Sequence, residues 1–508
     1  MALILHNAEV ITMDTARPRA RAVAAEDGRI VAVGSDAEMA PFRSAGSRLI
    51  DCRGGALLPG FIDAHCHLLA YAASLLSIDC SPAAVVSIGD IQRLLRDRAA
   101  QTPPGRWLRA AGYDETALAE ARHPTRWDLD AAAPDHPVRL IHRSGHACVL
   151  NSVALSLAGI TIATEEPPAG SLERDLTSGE PSGLLIEMNE IVDAAVPPLS
   201  HEELAQGVEQ AARFFLSQGV TSIQDATAGN GPAEWALFRR LMEEGHLSLG
   251  VTLMEGFASR GQLPSTDLAG RLRRGSVKIT IKEVGDEIHT DEGELADMVG
   301  QVHREGRQVA IHAVGERAVT AAVAAIERAL AALPRPDHRH RIEHCGVCPP
   351  ELAARIGRAG IAVVTQPSFL YFNGDRYLAQ VPPSDLPHLY PLGRLRRAGV
   401  EIAASSDAPV VPPATLRSVE SAVTRRSRNG ATLSVDEAIN VEDALRAHTG
   451  SAAWSAFEEG ERGSIAPGKD ADFVLLSGDP TAVSADEIAG LTVEMTVVRG
   501  EIAWQSRA

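Results

Sequence analysis

Residues 59–68 read PGFIDAHCHL, a run that follows the apolar residues 56–58 and carries two histidines two positions apart. Because side chains at i and i+2 lie on the same face of a β-strand, His65 and His67 point together and Cys66 points away. Two neutral imidazoles held side by side make half of a site for a first-row metal. Such a pair is also common as ordinary polar residues at a strand end, so the metal prediction depends on the rest of the chain.

Length and composition restrict the class of protein. A chain of 508 residues suits one large barrel with attachments, or two to three domains. Hydrophobic residues make up 45% and charged residues 22%, as is ordinary for a globular protein. The formal net charge of −18 argues against a nucleic acid or an anionic membrane as partner. A small-molecule substrate is the partner that the remaining observations predict.

The lack of a recognisable signal peptide and the cysteine usage predict a cytoplasmic protein. The start, MALILHNAEVITMD, lacks the basic and long apolar regions of a signal peptide, and no run approaches the ~20 apolar residues of a membrane span. Six cysteines are too sparse for a disulfide framework in a chain of this size. The C-x-x-C spacing of Cys345 and Cys348 has no second pair, and we interpret it as incidental.

The two ends of the chain share a β-rich pattern. Short alternating runs separated by turns occur in residues 1–56 and again in residues 456–508. We therefore predict one small β-sandwich that is built from both termini.

The middle of the chain alternates buried strands with helical stretches, which predicts a TIM-like (β/α)8 barrel of α/β class. Residues 57–68 would supply the first strand and residues 201–455 the remainder. A doubly wound open sheet is the alternative, but no Gly-x-Gly-x-x-Gly loop follows the first strand. Further strands are predicted at residues 220–225, 247–254, 276–281, 308–312, 340–344, 361–366 and 400–405, and helices at 202–218, 292–305, 316–333 and 350–359.

Residues 69–200 depart from this alternation and are predicted to form a large insertion after the first barrel strand. Insertions at that point rise from the catalytic face of a barrel, where they form substrate walls or a lid. A peripheral subdomain is the other interpretation.

Residues with metal-ligand chemistry recur at the C-terminal ends of the predicted strands, where barrel enzymes build their sites. One lone strand-end histidine is usually an ordinary hydrogen-bonding residue, but six such positions at the ends of five predicted strands predict a metal centre. They are His65, His67, a lysine of the 276–281 strand, His312, His344 and Asp407.

Several motifs occur in a fixed order along the chain: PGFIDAHCH (59–67), Trp107 with GY (112–113), GH (145–146) with NS (151–152), IHAVG (311–315), RIEH (341–344), SDAP (406–409), and GSI (463–465) with GKDAD (468–472). Over essentially its whole length the chain resembles the amidohydrolase superfamily, in the branch that includes N-substituted formamide deformylases. The resemblance implies a (β/α)8 barrel with a β-sandwich, one or two divalent metals, usually zinc, and a hydrolytic reaction.

Carried over position by position, the resemblance implies that His65 and His67 bind a buried metal, and that His312 and His344 bind a second one. Asp407 would ligate a metal and handle the proton. A lysine on the fourth strand, carboxylated by CO2, would bridge the two cations. The family pattern places it at Lys278, which we prefer, although Lys282 has the same strand parity and lies nearer the strand end.

These residue types suit hydrolysis, because a divalent cation lowers the pKa of bound water toward ~7 and polarises a carbonyl group. Asp407 is placed to act as the general base. His146 resembles a histidine of the family's insertion and is predicted to be catalytic, through a hydrogen bond to the substrate or the oxyanion. Trp107 and Tyr113 would contact the substrate or pack in the insertion's own core, and Gln366 is a further candidate for substrate contact.

The sequence thus predicts a metal-dependent hydrolase that acts on a non-peptide C–N bond of an amide, an N-substituted formamide or a cyclic imide. Two alternatives remain open: a deaminase-like amidohydrolase with one metal, and a catalytically silent binding protein on the same fold. A homodimer is expected only from the resemblance.

Overall fold

Eight parallel strands form the centre of the computed structural model, which describes residues 2–44, 46–167, 170–284 and 287–506. Each strand pairs in parallel with the next along the chain. We number them β1 (Phe61–Cys66), β2 (Val220–Asp225), β3 (Gly250–Gly256), β4 (Leu272–Thr280), β5 (Val309–Ala313), β6 (Arg341–His344), β7 (Ala362–Thr365) and β8 (Ile402–Ala404).

The ring of strands closes between β1 and the segment that follows β8. The backbone N–H of Asp407 donates to the carbonyl of His65 at 2.9 Å, and the N–H of His67 donates to the carbonyl of Ala408 at 2.9 Å. The predicted barrel is therefore confirmed. Closure also places the end of β1 directly beside the residues that leave β8.

Helices follow the strands around the barrel. In the helix Glu316–Ala332, the buried residues Ala318, Ala322 and Ile326 recur at spacings of four, so one apolar stripe faces the sheet. The barrel's helices are His201–Ser217, Pro232–Glu243, Glu292–Arg304, Glu316–Ala332, Pro350–Arg358, Ser368–Gln380, Leu392–Arg397, Thr415–Thr424, Val441–Ala447 and Gly450–Trp454.

Residues from both ends of the chain form two further sheets that share a core, as predicted. One sheet contains Leu3–His6, Ala22–Glu26, Arg29–Gly34 and Arg48–Asp51. The other contains Glu9–Ile11, Arg19–Ala20, Ala56–Pro59, Phe473–Leu476, Val493–Val498 and Glu501–Gln505. Leu5, Val10, Leu57, Phe473 and Val497 pack between the two sheets.

Gly60 joins the sandwich strand Ala56–Pro59 to β1 at a point of close approach. A Cβ atom at this position would lie 2.3 Å from two side-chain atoms of Thr221, so only glycine fits. The Gly60 N–H donates to the carbonyl of Asp472 at 2.9 Å. The strand that carries His65 is thus anchored to the sandwich at its start.

The chain divides into two compact units, Met1–His67 with Ala212–Ala508, and Leu68–Ala211. The second unit is built on a six-stranded mixed sheet with two apolar cores of its own. Its strands are Ile78–Asp79, Leu108–Tyr113, Val138–His142, Ala147–Leu150, Ser171–Arg174 and Pro181–Ile186. Its shorter helices are Leu68–Leu76, Ile88–Ala99, Arg126–Asp130, Ser152–Leu157 and Asn189–Ala195.

Smaller elements complete the described chain. Thr266–Asp267 pairs with β4, and Glu283–Val284 pairs with Glu287–Ile288 in a two-stranded ladder. Short 3-10 turns occur at Ala40–Phe42, Phe257–Ser259, Leu268–Gly270, Leu386–His388, Val435–Glu437 and Ala485–Gly490. Within the described ranges, no helix combines the length and the apolar character that crossing a membrane requires.

Candidate metal centre

Three side chains converge where β1 meets the segment after β8. His65 Nε2 lies 3.5 Å and His67 Nε2 3.2 Å from the same oxygen, Asp407 Oδ1. One potential ligand atom from each of the three residues lies within 4.8 Å of the other two. Two imidazoles and one carboxylate at this spacing form a set that can hold one divalent cation.

A second pair of histidines lies beside this group, at the ends of β5 and β6. His312 Nδ1 is 2.9 Å from His344 Nε2, and His344 Nδ1 is 4.0 Å from Asp407 Oδ2. The rings of His65 and His344 have centroids 4.9 Å apart. The structure therefore brings together all five histidine and aspartate residues that the sequence singled out as ligands, with Asp407 close to both histidine pairs.

Neighbouring side chains hold the second ring nitrogen of three of these histidines. His67 Nδ1 lies 3.0 Å from the hydroxyl of Thr227, and His344 Nδ1 lies 2.9 Å from Gln366 Oε1. His65 Nδ1 lies 2.5 Å from Glu343 Oε2. Such contacts fix the orientation of an imidazole and leave its other nitrogen for a metal. His65 Nε2 is buried and makes no hydrogen bond to any described residue.

The protonation states of the group suit a cation. Burial lowers the pKa of His65 to about 3 and also lowers the pKa values of His312 and His344, so these rings are neutral at pH 7. Burial acts to raise the pKa of Asp407, but a hydrogen bond from His67 and the nearby histidines hold that pKa below its ordinary value. Neutral imidazole and ionised carboxylate are the forms that bind metals.

Two of the candidate ligands have an unusual backbone conformation. His344 has a φ of +72° and Asp407 a φ of +58°, in the left-handed region that residues other than glycine seldom adopt. Backbone hydrogen bonds maintain both: Cys345 N–H donates to Ala313 O at 3.0 Å, and Val410 N–H donates to Asp407 O at 2.8 Å. Strain of this kind concentrates at functional sites.

The two lysines that the sequence left open differ sharply in environment. Lys278, on β4, is 4% exposed, and its Nζ has no hydrogen-bond partner in the described part of the chain. Burial lowers the pKa of Lys278 to about 8, against the opposing charges of Glu343 and Asp407. Lys282 lies two residues beyond β4 and is exposed.

These residues fit a divalent cation, which would satisfy the buried lone pair of His65 Nε2. Among the described residues, neither His65 Nε2 nor Lys278 Nζ has a partner, although an unpaired buried polar atom is costly. His65, His67 and Asp407 would hold one ion, and His312 with His344 a second. The imidazole and carboxylate donors suit zinc and several neighbouring metals.

The other predicted site residues are distributed between the two units. Gln366 is fully buried beside the centre, where its amide also donates to Ser405 Oγ at 2.9 Å. In the insertion, Tyr113 is buried in the core and its hydroxyl lies 2.9 Å from His123 Nδ1, which is the packing role that the sequence left open. Trp107 packs half-buried on the insertion's second core. His146 is 64% exposed, with Nδ1 2.8 Å from Glu187 Oε1.

A second group of acidic and histidine side chains lies within the insertion. Glu115 Oε2 is 2.9 Å from His142 Nε2, and Arg143 Nε is 3.5 Å from Asp114 Oδ2. Because Arg143 already lies beside Asp114 and the ring of His142 already contacts Glu115, this group is a weaker candidate for a cation than the barrel group.

Sequence reasoning missed the residues that support the ligands, above all Arg341 and Glu343. A signal was available, because Arg341 and Glu343 are opposite charges two positions apart on one predicted barrel strand. Since i and i+2 share a face, opposite charges there must pair with each other or with the interior of the barrel.

Comparison with known proteins identifies the family. A model of the amidohydrolase family matches residues 48–503. The chain is 30% identical to an N-substituted formamide deformylase from Arthrobacter pascens, in an alignment that covers 99% of this chain and 98% of that protein.

Two solved structures share the fold. An uncharacterised metal-dependent hydrolase from Pyrococcus horikoshii OT3 superimposes with a TM-score of 0.77 at 22% identity, covering 96% of this chain and 99% of the other. A similar protein from Pyrococcus furiosus gives a TM-score of 0.74 at 23% identity, covering 95% and 100%.

Proposed function

The chain belongs to the amidohydrolase family, and from this premise we propose that it is a metal-dependent hydrolase of small amides, N-substituted formamides or cyclic imides. The observation that carries the proposal is the convergence of His65, His67 and Asp407 on one point at the end of the barrel. The similarity to an N-substituted formamide deformylase supports a non-peptide C–N bond as the target.

In this proposal, zinc is the metal, and the chain supplies one carboxylate and four imidazoles to hold one or two ions. When bound, a divalent cation supplies a nucleophile at neutral pH by lowering the pKa of water, and it polarises the substrate carbonyl. The rings of His65, His312 and His344 bind without first losing a proton, because burial has already lowered their pKa values.

We propose that Lys278 reacts with CO2 to form a carbamate, whose oxygens would be further ligands for the metal. The ammonium first loses one proton to give the neutral amine. That amine attacks CO2, an N–C bond forms as one C–O π bond breaks, and a second proton leaves, so that the cationic side chain becomes an anionic carbamate. Only the unprotonated amine reacts. With a pKa of about 8, roughly a tenth of the Lys278 amine is neutral at pH 7, against well under 0.1% for an ordinary lysine.

Asp407 is proposed to move the proton during hydrolysis. Its ionised carboxylate accepts a proton from the attacking water and then delivers that proton to the leaving nitrogen, a role that typically contributes about 10²–10⁴-fold in rate. We propose that His146 donates a hydrogen bond to the substrate from the insertion. Substrate contacts by Trp107, Tyr113 and Gln366 remain predictions.

The metal content of purified protein tests the centre, with Lys278→Ala beside Lys282→Ala as the matched control on the same segment. We expect about two zinc ions per chain in the wild type and in Lys282→Ala, and fewer in Lys278→Ala, because only the buried lysine adjoins the ligands. One ion in all three proteins would replace the carbamate proposal with the deaminase-like alternative. No metal after reconstitution would refute the proposed function.

The reaction itself is tested by offering zinc-loaded protein four substrate classes: N-substituted formamides, simple amides, cyclic imides and dipeptides. We expect release of an amine from at least one of the first three, and a fall of about 10²–10⁴-fold in Asp407→Asn. Cleavage of dipeptides alone would assign a peptidase instead. Metal binding without turnover of any class would favour a silent binding protein.

A further inference from the structure

We propose that Glu343 is a positioning residue of the candidate metal centre: its carboxylate holds the proton of His65 on Nδ1 and thereby presents the lone pair of Nε2 to the metal. This inference rests on the proposed function, because it assumes that His65 is a metal ligand. It adds a residue that the candidate ligand set does not include, and it assigns a task to the buried charge pair on β6.

The geometry around Glu343 is that of a closed ion pair. Glu343 Oε1 accepts a hydrogen bond from Arg341 Nε at 2.5 Å, and Glu343 Oε2 accepts one from Arg341 Nη2 at 3.0 Å. The same Oε2 lies 2.5 Å from His65 Nδ1. All three side chains are at most 1% exposed, so water does not compete for these contacts.

Arg341 is in turn fixed by residues of two other strands. Its Nη1 donates to Gln224 Oε1 on β2 at 2.5 Å, and its Nη2 donates to the carbonyl of Ala64 on β1 at 2.8 Å. The guanidinium therefore has donors directed at β1, β2 and β6 together. A planar fork held in this way keeps the carboxylate ionised and sets its direction to within a narrow range.

These contacts determine the tautomer of His65. An ionised carboxylate can only accept hydrogen bonds, so the hydrogen between the two side chains belongs to His65 Nδ1. A neutral imidazole carries one N–H, and Nε2 is then left with a lone pair. That atom lies 3.5 Å from Asp407 Oδ1, on the side of the ring that faces the other candidate ligands.

Glu343 differs from the partners of the other ligand histidines. His67 faces a hydroxyl, on Thr227, which can donate or accept, and His344 faces the neutral amide oxygen of Gln366. Among the described residues, His65 alone of these three histidines contacts a carboxylate that is not itself a candidate ligand. A carboxylate behind a metal-bound imidazole raises its basicity as a ligand, and loss of such a partner typically weakens metal affinity by about 10–100-fold.

The competing explanation is that Arg341 and Glu343 only brace the barrel interior. Glu255 provides a matched control that separates the two explanations. This glutamate lies on β3, is also fully buried, and pairs with Arg307 at 2.5 Å. It accepts hydrogen bonds from the backbone N–H groups of Gln262 and Leu263, which are not candidate ligands.

The test compares Glu343→Gln with Glu255→Gln and the wild type. Each protein is stripped of metal and titrated with Zn²⁺ against a chelator of known affinity, and the visible absorption of the Co²⁺-loaded protein is recorded. We expect about 10–100-fold weaker Zn²⁺ binding and a shifted Co²⁺ band in Glu343→Gln alone. The reason is that a glutamine amide can donate to Nδ1 and so move the His65 proton to Nε2.

Each outcome decides a separate question. Glu343→Gln with wild-type Zn²⁺ affinity and an unchanged Co²⁺ band, whatever its stability, would overturn the inference and leave a structural brace. A wild-type protein that binds neither metal would refute the proposed function instead. If Glu343→Gln does not fold, Glu343→Asp carries the test with the same readouts, since it keeps the charge but shortens the reach to His65.

Discussion

At the scale of single residues, three buried histidines at the N-terminal end of the barrel contrast with those of the candidate metal centre. Each ring nitrogen of His303, His338 and His340 has one partner, which is consistent only with neutral rings. The ring of His340 donates from Nε2–H to His303 Nδ1 at 2.8 Å and accepts at Nδ1 from Val309 N–H at 3.1 Å. His303 Nε2–H donates to the carbonyl of Leu333 at 2.7 Å. His338 accepts at Nδ1 from the backbone N–H of His340 at 2.9 Å and donates from Nε2–H to the carbonyl of Ala359 at 2.9 Å.

This network predicts that the protein loses stability in mild acid. Burial lowers the pKa of His340 to about 2 and also lowers the pKa of His338, whereas both rise to ordinary values near 6.5 on unfolding. The stability that these two neutral histidines contribute is therefore complete above pH 6.5. It is lost as the pH falls from 6.5 toward their pKa values in the folded protein. We expect the free energy of unfolding to fall by about 1.4 kcal/mol per pH unit for each such group, as measured by urea titration at pH 8, 6.5 and 5.

His340→Asn provides the control for this pH dependence. The variant should be less stable at pH 8, because Val309 N–H and His303 Nδ1 lose a partner, and its stability should fall less steeply between pH 6.5 and 5. An equally steep fall in the variant would assign the acid sensitivity to other groups.

Some features of single residues could be predicted from the sequence and others could not. The ligand candidates could be chosen from the sequence because a polar side chain at the end of an apolar strand is conspicuous. The pairing of Glu343 with His65 could not be predicted from the sequence, since it joins β6 to β1 across the barrel and depends on how the strands tilt. The left-handed backbone at His344 and Asp407 has no sequence signal either, because neither residue is glycine.

At the scale of elements, the barrel strands were predictable because each is a short apolar run bounded by turns. The strand Val220–Asp225 matches its prediction, and the others differ by a few residues at their ends. The sheet of the insertion was not predicted. Its strands are short, mix parallel and antiparallel neighbours, and include the two-residue strand Ile78–Asp79, so no periodic pattern indicates them.

Two glycines at helix ends test how tightly the barrel packs on the sandwich. Gly219 and Gly245 follow helices His201–Ser217 and Pro232–Glu243 with φ values of +79° and +84°. A Cβ atom on Gly219 would lie 2.6 Å from Val474 Cγ2, whereas on Gly245 it would meet no described atom within 4 Å. Gly245→Ala should cost about 1 kcal/mol for backbone strain alone, and Gly219→Ala about 1–3 kcal/mol more for the overpacking.

The free energies of unfolding of the two variants, measured in urea against the wild type, check this difference. Both substitutions carry the same backbone strain. The difference between their losses in free energy of unfolding therefore isolates the overpacking of β1 and the sandwich around position 219. Equal costs would mean that Val474 and Phe61 shift aside without penalty.

At the scale of the whole molecule, the candidate ligands all belong to one of the two compact units. His65 and His67 lie at the end of its first segment, and Lys278, His312, His344 and Asp407 lie in its second. The sandwich belongs to the same unit and is continuous with β1 through Gly60. A metal that draws the ends of β1, β5, β6 and the segment after β8 together should therefore stabilise barrel and sandwich as one unit.

Hydrogen exchange with and without Zn²⁺ tests this expectation. Zinc at 100 times its dissociation constant should stabilise the unit that binds it by about 2.7 kcal/mol, which slows exchange through global opening of that unit by about 100-fold. We expect this added protection in β1, β5 and β6 and in the sandwich strand Phe473–Leu476, but not in the insertion strand Leu108–Tyr113, whose core is its own. Asp407→Asn should abolish the effect, because it removes the carboxylate near both histidine pairs. Equal protection of the insertion would show instead that the two units unfold as one cooperative structure, and that the metal stabilises the whole chain.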